Sequence, residues 1–103
     1  MTERLDTGML RERLNGETAR LRWKELERHF ACGAVVKVAP TMDLVDVAVA
    51  MAQDDTRTIQ AALDAGEMAR ASAEDAERWA RRNQSLWAVV VAPWVLVQET
   101  VAR

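Results

Sequence analysis

The sequence predicts an α+β fold: a small sheet of about three strands covered by four or five helices. Three observations lead there. Apolar residues recur at helical spacing over residues 7–31 and 43–63. Two runs are β-branched and short on polar alternation, Ala34–Ala39 and Leu86–Val97. The chain has 103 residues, half of them apolar and 29% charged, which is globular composition with length for one core. The expected organisation is a single domain over 1–103, with 1–8 a flexible lead-in. The expected order of elements is α-α-β-α-α-β-α-β. A mostly helical bundle with one hairpin is the alternative.

Residues 7–31 carry two apolar stripes. Leu10, Leu14, Thr18 and Leu21 form one, and Ala19, Trp23, Leu26 and Phe30 the other. At 100° per residue the stripes lie on nearly opposite sides of a helix. A domain this small has little mass to cover both sides of one long helix, so the pattern predicts a break near Arg22. Gly33 supplies the stop. Ala34–Ala39 is the first expected strand, ended by Pro40. Asp43–Asp54 reads as a helix apolar around most of its circumference, hence buried. Asp54 or Asp55 caps a short helix with Ile59, Ala62 and Leu63 facing inward, and Gly66 closes it.

Met68–Ala71 is a weak strand signal. Ser72 and Asp75 have the spacing of a capping box, with Asp in the Glu position. The helix behind them turns Ala76, Trp79 and Ala80 inward, and Asn83 ends it. Leu86–Val97 is the strongest strand signal in the chain, and its run of valines predicts burial on both faces. Pro93 cannot donate to a ladder, so it marks a bulge, an edge, or a break between two strands. Trp87 and Trp94, seven apart, face opposite ways in a perfect strand, and a bulge at Pro93 brings them to one side. Trp23, Leu26, Phe30, Val47, Met51 and Val90 are expected in the core.

Composition narrows the function classes. One cysteine excludes an internal disulfide framework. A net charge of -2 argues against general nucleic-acid binding. The longest apolar run, 12 residues interrupted by Pro93, is too short for a bilayer that needs about 20. Met1–Arg13 mixes charges and lacks the apolar stretch of a signal peptide. A cytoplasmic protein, without membrane or nucleic-acid partners, is the expectation. Residues 31–69 hold two basic and six acidic side chains, so the middle third carries the acidity. That is ordinarily a solvated face, and otherwise a docking surface for a basic partner.

Few residues suggest chemistry. His29 and Cys32 have a spacing that a metal could bridge, but they are the only His and Cys. Asp43, Asp46, Asp54 and Asp55 are the candidate acidic surface, able in principle to hold a divalent cation; helix capping accounts for Asp43 and Asp55 equally well. No phosphate-binding glycine loop or nucleophile elbow occurs, and no cofactor is expected. Four Trp with no Tyr leave Trp87 and Trp94, joined by Leu96, as the candidate interface or pocket.

Glu17-Thr-Ala, Trp23-Lys-Glu-Leu, Asp43-Leu-Val-Asp-Val-Ala and above all Leu86–Gln98 resemble a family of small bacterial proteins known as domain of unknown function 2288. The resemblance runs from about Leu10 to Glu99 and implies a stand-alone bacterial cytoplasmic protein. It implies no activity, cofactor or catalytic residue. The functional expectation is therefore a non-enzymatic interaction or homo-oligomeric module, with the Leu86–Val97 strand as dimer edge through Trp94 and Leu96. The alternatives are a small-molecule binding protein with a Trp-lined pocket and a carboxylate-based metal-dependent enzyme.

Overall fold

The computed structural model describes residues 7–100. The expected lead-in falls outside them up to residue 6, while Thr7 and Gly8 already belong to the first helix. Ten elements follow one another: α1 (Thr7–Glu17), β1 (Ala19–Arg22), α2 (Trp23–Ala31), β2 (Val35–Val38), α3 (Leu44–Ala52), α4 (Thr56–Asp64), β3 (Met68–Arg70), α5 (Ala73–Ala80), β4 (Ser85–Val91) and β5 (Trp94–Glu99). The α+β class holds, but the sheet has five strands rather than three, in the order β1-β4-β5-β2-β3. All pairings are antiparallel except β2 with β5.

Two strands escape the sequence pattern for different reasons. β1 occupies the break between the two apolar stripes. Its four residues are mostly exposed, so no hydrophobic alternation marks it. The opposed stripes now have a cause: α1 packs on one face of the sheet through Leu10 and Leu14, and α2 on the other through Trp23 and Leu26. β1 is the crossing between faces. The second missed strand comes from the valine run, which is a hairpin. Val91 pairs with Trp94 across a two-residue connection whose Ala92–Pro93 bond is cis.

Each face of the sheet has its own core. α1, α3 and α4 cover Val36, Val38, Val89 and Leu96; α2 and α5 cover Val35, Leu86, Ala88, Val95 and Val97. Alternate residues of β5 thus enter different cores, and burial on both faces explains the absence of polar alternation. β5 lies between β4 and β2, which corrects the expectation that it forms an edge; the outer strands are β1 and β3.

Helix ends follow the sequence closely. The Asp43 carboxylate accepts from the N–H groups of Val45 and Asp46, and Asp55 accepts from Thr58. The Ser72–Asp75 capping box forms reciprocally at 2.9 and 3.0 Å. Gly33 and Gly66 take φ of 73° and 75° where their helices stop. Of the expected core, Trp23, Leu26 and Val47 are buried and Phe30 and Met51 are half-buried, but Val90 is 54% exposed. β1 reaches only as far as Ala88, so among the described residues no strand flanks β4 at Val90 on that side, while β5 pairs with it on the other. Leu63, expected inward on α4, is 43% exposed.

Candidate functional site

The hairpin decides where the two tryptophans go. Val91 pairs with Trp94 and Trp87 with Gln98, so both indoles emerge on the face covered by α1, α3 and α4. This is the shared side expected from the sequence, reached through a turn instead of a bulge. Between them Val89 and Leu96 are buried beneath the helices, while Trp87 is 38% exposed and Trp94 half-buried. The two indoles therefore stand at opposite ends of the helical cover, each lining its own hollow.

At the turn end, a hollow of about 350 Å³ lies between the α3–α4 corner and the hairpin. Met51, Ile59, Val91, Pro93 and Trp94 make its apolar bed, and Asp54, Thr56 and Gln60 bring polar groups to it. This volume is at the small end of the range for ligand clefts, about 300–1,000 Å³. Arg70 of β3 stacks over Trp94 with its guanidinium carbon 5.2 Å from the ring centroid. At the other end Trp87 helps line a hollow of about 320 Å³ with Asn15, Thr18, Met42, Asp43 and Gln98. Arg20 of β1 covers Trp87 at 5.5 Å. Gln98 is held there by donating to the carbonyls of Ala39 and Met42 at 2.8 and 2.7 Å. Leu96 joins neither hollow. It is wholly buried, so it is closed to a partner in this fold.

The four aspartates separate into two kinds. Asp43 and Asp46 share a single cation, Arg11 of α1, which binds both carboxylates. Burial pushes the Asp43 carboxyl up, but hydrogen bonding from the Asp46 N–H and the Arg11 guanidinium outweighs it and holds the group below its usual range. Asp55 is lowered by its hydrogen bond from the Thr58 hydroxyl. Capping and ion pairing thus use three of the four. Asp54, in the left-handed region at φ 57°, is the one that lines the turn-end hollow. Its conformation belongs to the helix stop, since the next N–H, of Asp55, returns to the Ala50 carbonyl. Among the described residues no group of three or more His, Cys, Asp and Glu could hold a metal ion, and Cys32 is free and exposed.

A second polar cluster lies on the opposite face, and only its Ser72–Asp75 capping box was marked along the chain. Asp75, 4% exposed, accepts from Lys37 of β2 and Arg78 of α5, both at 2.9 Å. Arg78 also reaches Glu99 of β5 at 2.6 Å, and the Trp79 indole N–H donates to the same Glu99 oxygen at 2.8 Å. Burial pushes the Asp75 carboxyl up, yet the hydrogen bonds from Ser72, Lys37 and Arg78 together bring it down to about 2. These side chains are 20 or more residues apart in sequence except along α5, and only the pairing of β2 with β5 under α5 brings them together. Every member is satisfied by another, the arrangement of a structural clamp.

Comparison with known proteins agrees with the fold and stops short of an activity. Residues 9–99 match the family described as "Protein of unknown function (DUF2288)". The NMR solution structure of PA1075 from Pseudomonas aeruginosa is similar, with 42% identity, a TM-score of 0.79, and coverage of 99% of this chain and 93% of that one. No curated protein matches the sequence. Among the described residues no helix is long and apolar enough to cross a membrane.

Proposed function

The chain belongs to the DUF2288 family, whose description assigns no activity, and on the geometry we propose that it is a non-enzymatic binding module whose ligand enters the hollow beside Trp94. The observation that carries this reading is a half-buried tryptophan set in a pre-formed apolar cleft with a few convergent polar groups. The lining also favours binding over chemistry. Asp54, Thr56 and Gln60 supply an acceptor, a hydroxyl and a carboxamide, and the Gln60 amide is spent on Asp64 at 2.9 Å. Metabolites screened by ¹⁵N NMR at about 1 mM, enough to reveal dissociation constants near that value, should move the Trp94 indole resonance together with Met51 and Ile59. Trp94→Phe should keep the fold and weaken those hits. A panel that moves only residues away from the hollow overturns the reading.

A second reading, self-association, is favoured by one observation: among the described residues β4 runs on past Ala88 with no strand on its β1 side, and Val90 there is exposed. An unpaired valine-rich stretch of edge is a template for pairing with another strand. A two-fold contact of two such edges would replace the β5 interface expected from the sequence. Sedimentation of the wild type and Val90→Lys tests it. A dimer dissociated by the substitution supports the reading, and a monomer of about 11.6 kDa across micromolar concentrations ends it.

A further inference from the structure

We propose that the hollow beside Trp94 selects a small organic cation, an ammonium group on a short apolar body. The proposal rests on the reading of this hollow as the binding site and adds the chemical class of its ligand. The bed of Met51, Ile59, Val91, Pro93 and Trp94 is apolar, and Asp54 is the one charged residue among the described residues that line it. The Asp54 carboxylate makes no hydrogen bond or ion pair among the described residues, whereas Asp43, Asp46 and Asp55 each have a partner. An unpartnered anion at the rim of an apolar hollow attracts a cation and gains nothing from a neutral or anionic ligand of the same shape.

The indole adds a second attraction of the same sign. Its π face favours cations, and the fold already uses it so, since Arg70 stacks on Trp94 at 5.2 Å. Arg70 is also a competitor, a like charge on the same indole. Its position makes a distinct expectation: removing the guanidinium should improve binding of an external cation. The volume of about 350 Å³ suits a short alkyl or aryl amine.

The test compares three probes of equal length, n-hexylammonium, 1-hexanol and hexanoate, titrated into the ¹⁵N-labelled protein at pH 7. The ammonium should shift the Trp94 indole and the Asp54 amide saturably, binding about three- to tenfold more tightly than the other two, and less tightly as salt rises. Asp54→Asn keeps a residue type that tolerates the left-handed backbone, so the fold survives and only the ammonium preference should vanish. Arg70→Gln should tighten the ammonium about twofold. Equal binding of all three probes overturns the cation inference and leaves the binding reading standing. Binding of none, or shifts confined to residues away from the hollow, overturns both. A lysine-containing hexapeptide that binds tenfold more tightly than hexylammonium also overturns the proposal, because the occupant would then be a protein segment.

Discussion

Asp75→Asn should destabilise the protein by about 2–3 kcal/mol at pH 7, and the penalty should fade as the solution is acidified. The wild-type carboxyl drops from its ordinary value of 3.8 to about 2 on folding. Each pKa unit is worth about 1.4 kcal/mol, so the ionised carboxylate contributes about 2 kcal/mol. A group whose folded pKa is depressed stabilises at pH values above its unfolded pKa. That contribution is complete at neutral pH, declines below about pH 4 and is gone below about pH 2. Asparagine retains an acceptor for the Ser72 N–H but takes the bonded anion from Lys37 and leaves Arg78 with Glu99 alone. Removing one partner of a fully buried pair costs about 3–5 kcal/mol. Here the side chains of Lys37 and Arg78 are 34% and 45% exposed and can take up water, which places the cost at the lower end. Urea midpoints of the wild type and the variant, measured at intervals from pH 7 to pH 2.5, give the difference directly, and acid effects on other groups common to both chains cancel. A penalty below about 0.5 kcal/mol at pH 7, or one that is constant across the pH range, would refute the assignment of this carboxylate as the anionic centre of the cluster.

Two further substitutions probe the frame around the sites. Trp79 is fully buried against Trp23, at 6.0 Å between rings, so Trp79→Ala should cost about 3–5 kcal/mol, read as a denaturant midpoint; an unchanged midpoint would show that the indole is not core. Asp43→Ala removes the cap of α3, and a loss of about 1 kcal/mol in thermal or urea unfolding is expected, with an effect near zero contradicting the cap.

Much of the framework could be read along the chain because it depends on neighbours a few residues apart. Helix caps are of this kind: Asp43, Asp55 and the Ser72–Asp75 box act over two or three residues, and each is found where its spacing placed it. So are the glycines that end α2 and α4, and the burial of the Val-rich segments. The opposed stripes of residues 7–31 likewise required an interruption near Arg22.

What filled that interruption depended on a partner more than sixty residues away. β1 is a strand because Ala19–Arg22 find Ser85–Ala88, and its own exposed residues carry no periodic signal. The valine run shows the same division. Its composition fixed burial on both faces, but a continuous strand and a hairpin around Pro93 have identical local hydrophobicity, and only the sheet chose the second. That choice set Val90 at an open edge, buried Leu96, and turned both Trp87 and Trp94 to one face. The candidate site is a consequence of that packing. Asp54 was visible as one of four acidic residues; capping set Asp43 and Asp55 apart, and the sequence could not separate Asp54 from Asp46. Arg11 meets Asp43 and Asp46 only in the fold, and with Asp55 held by its local cap on Thr58, Asp54 is left beside Trp94 without a side-chain partner among the described residues. The Lys37–Asp75–Arg78–Glu99 cluster is likewise a product of strand order, since electrostatic pairing acts through space and the sequence records only separation along the chain.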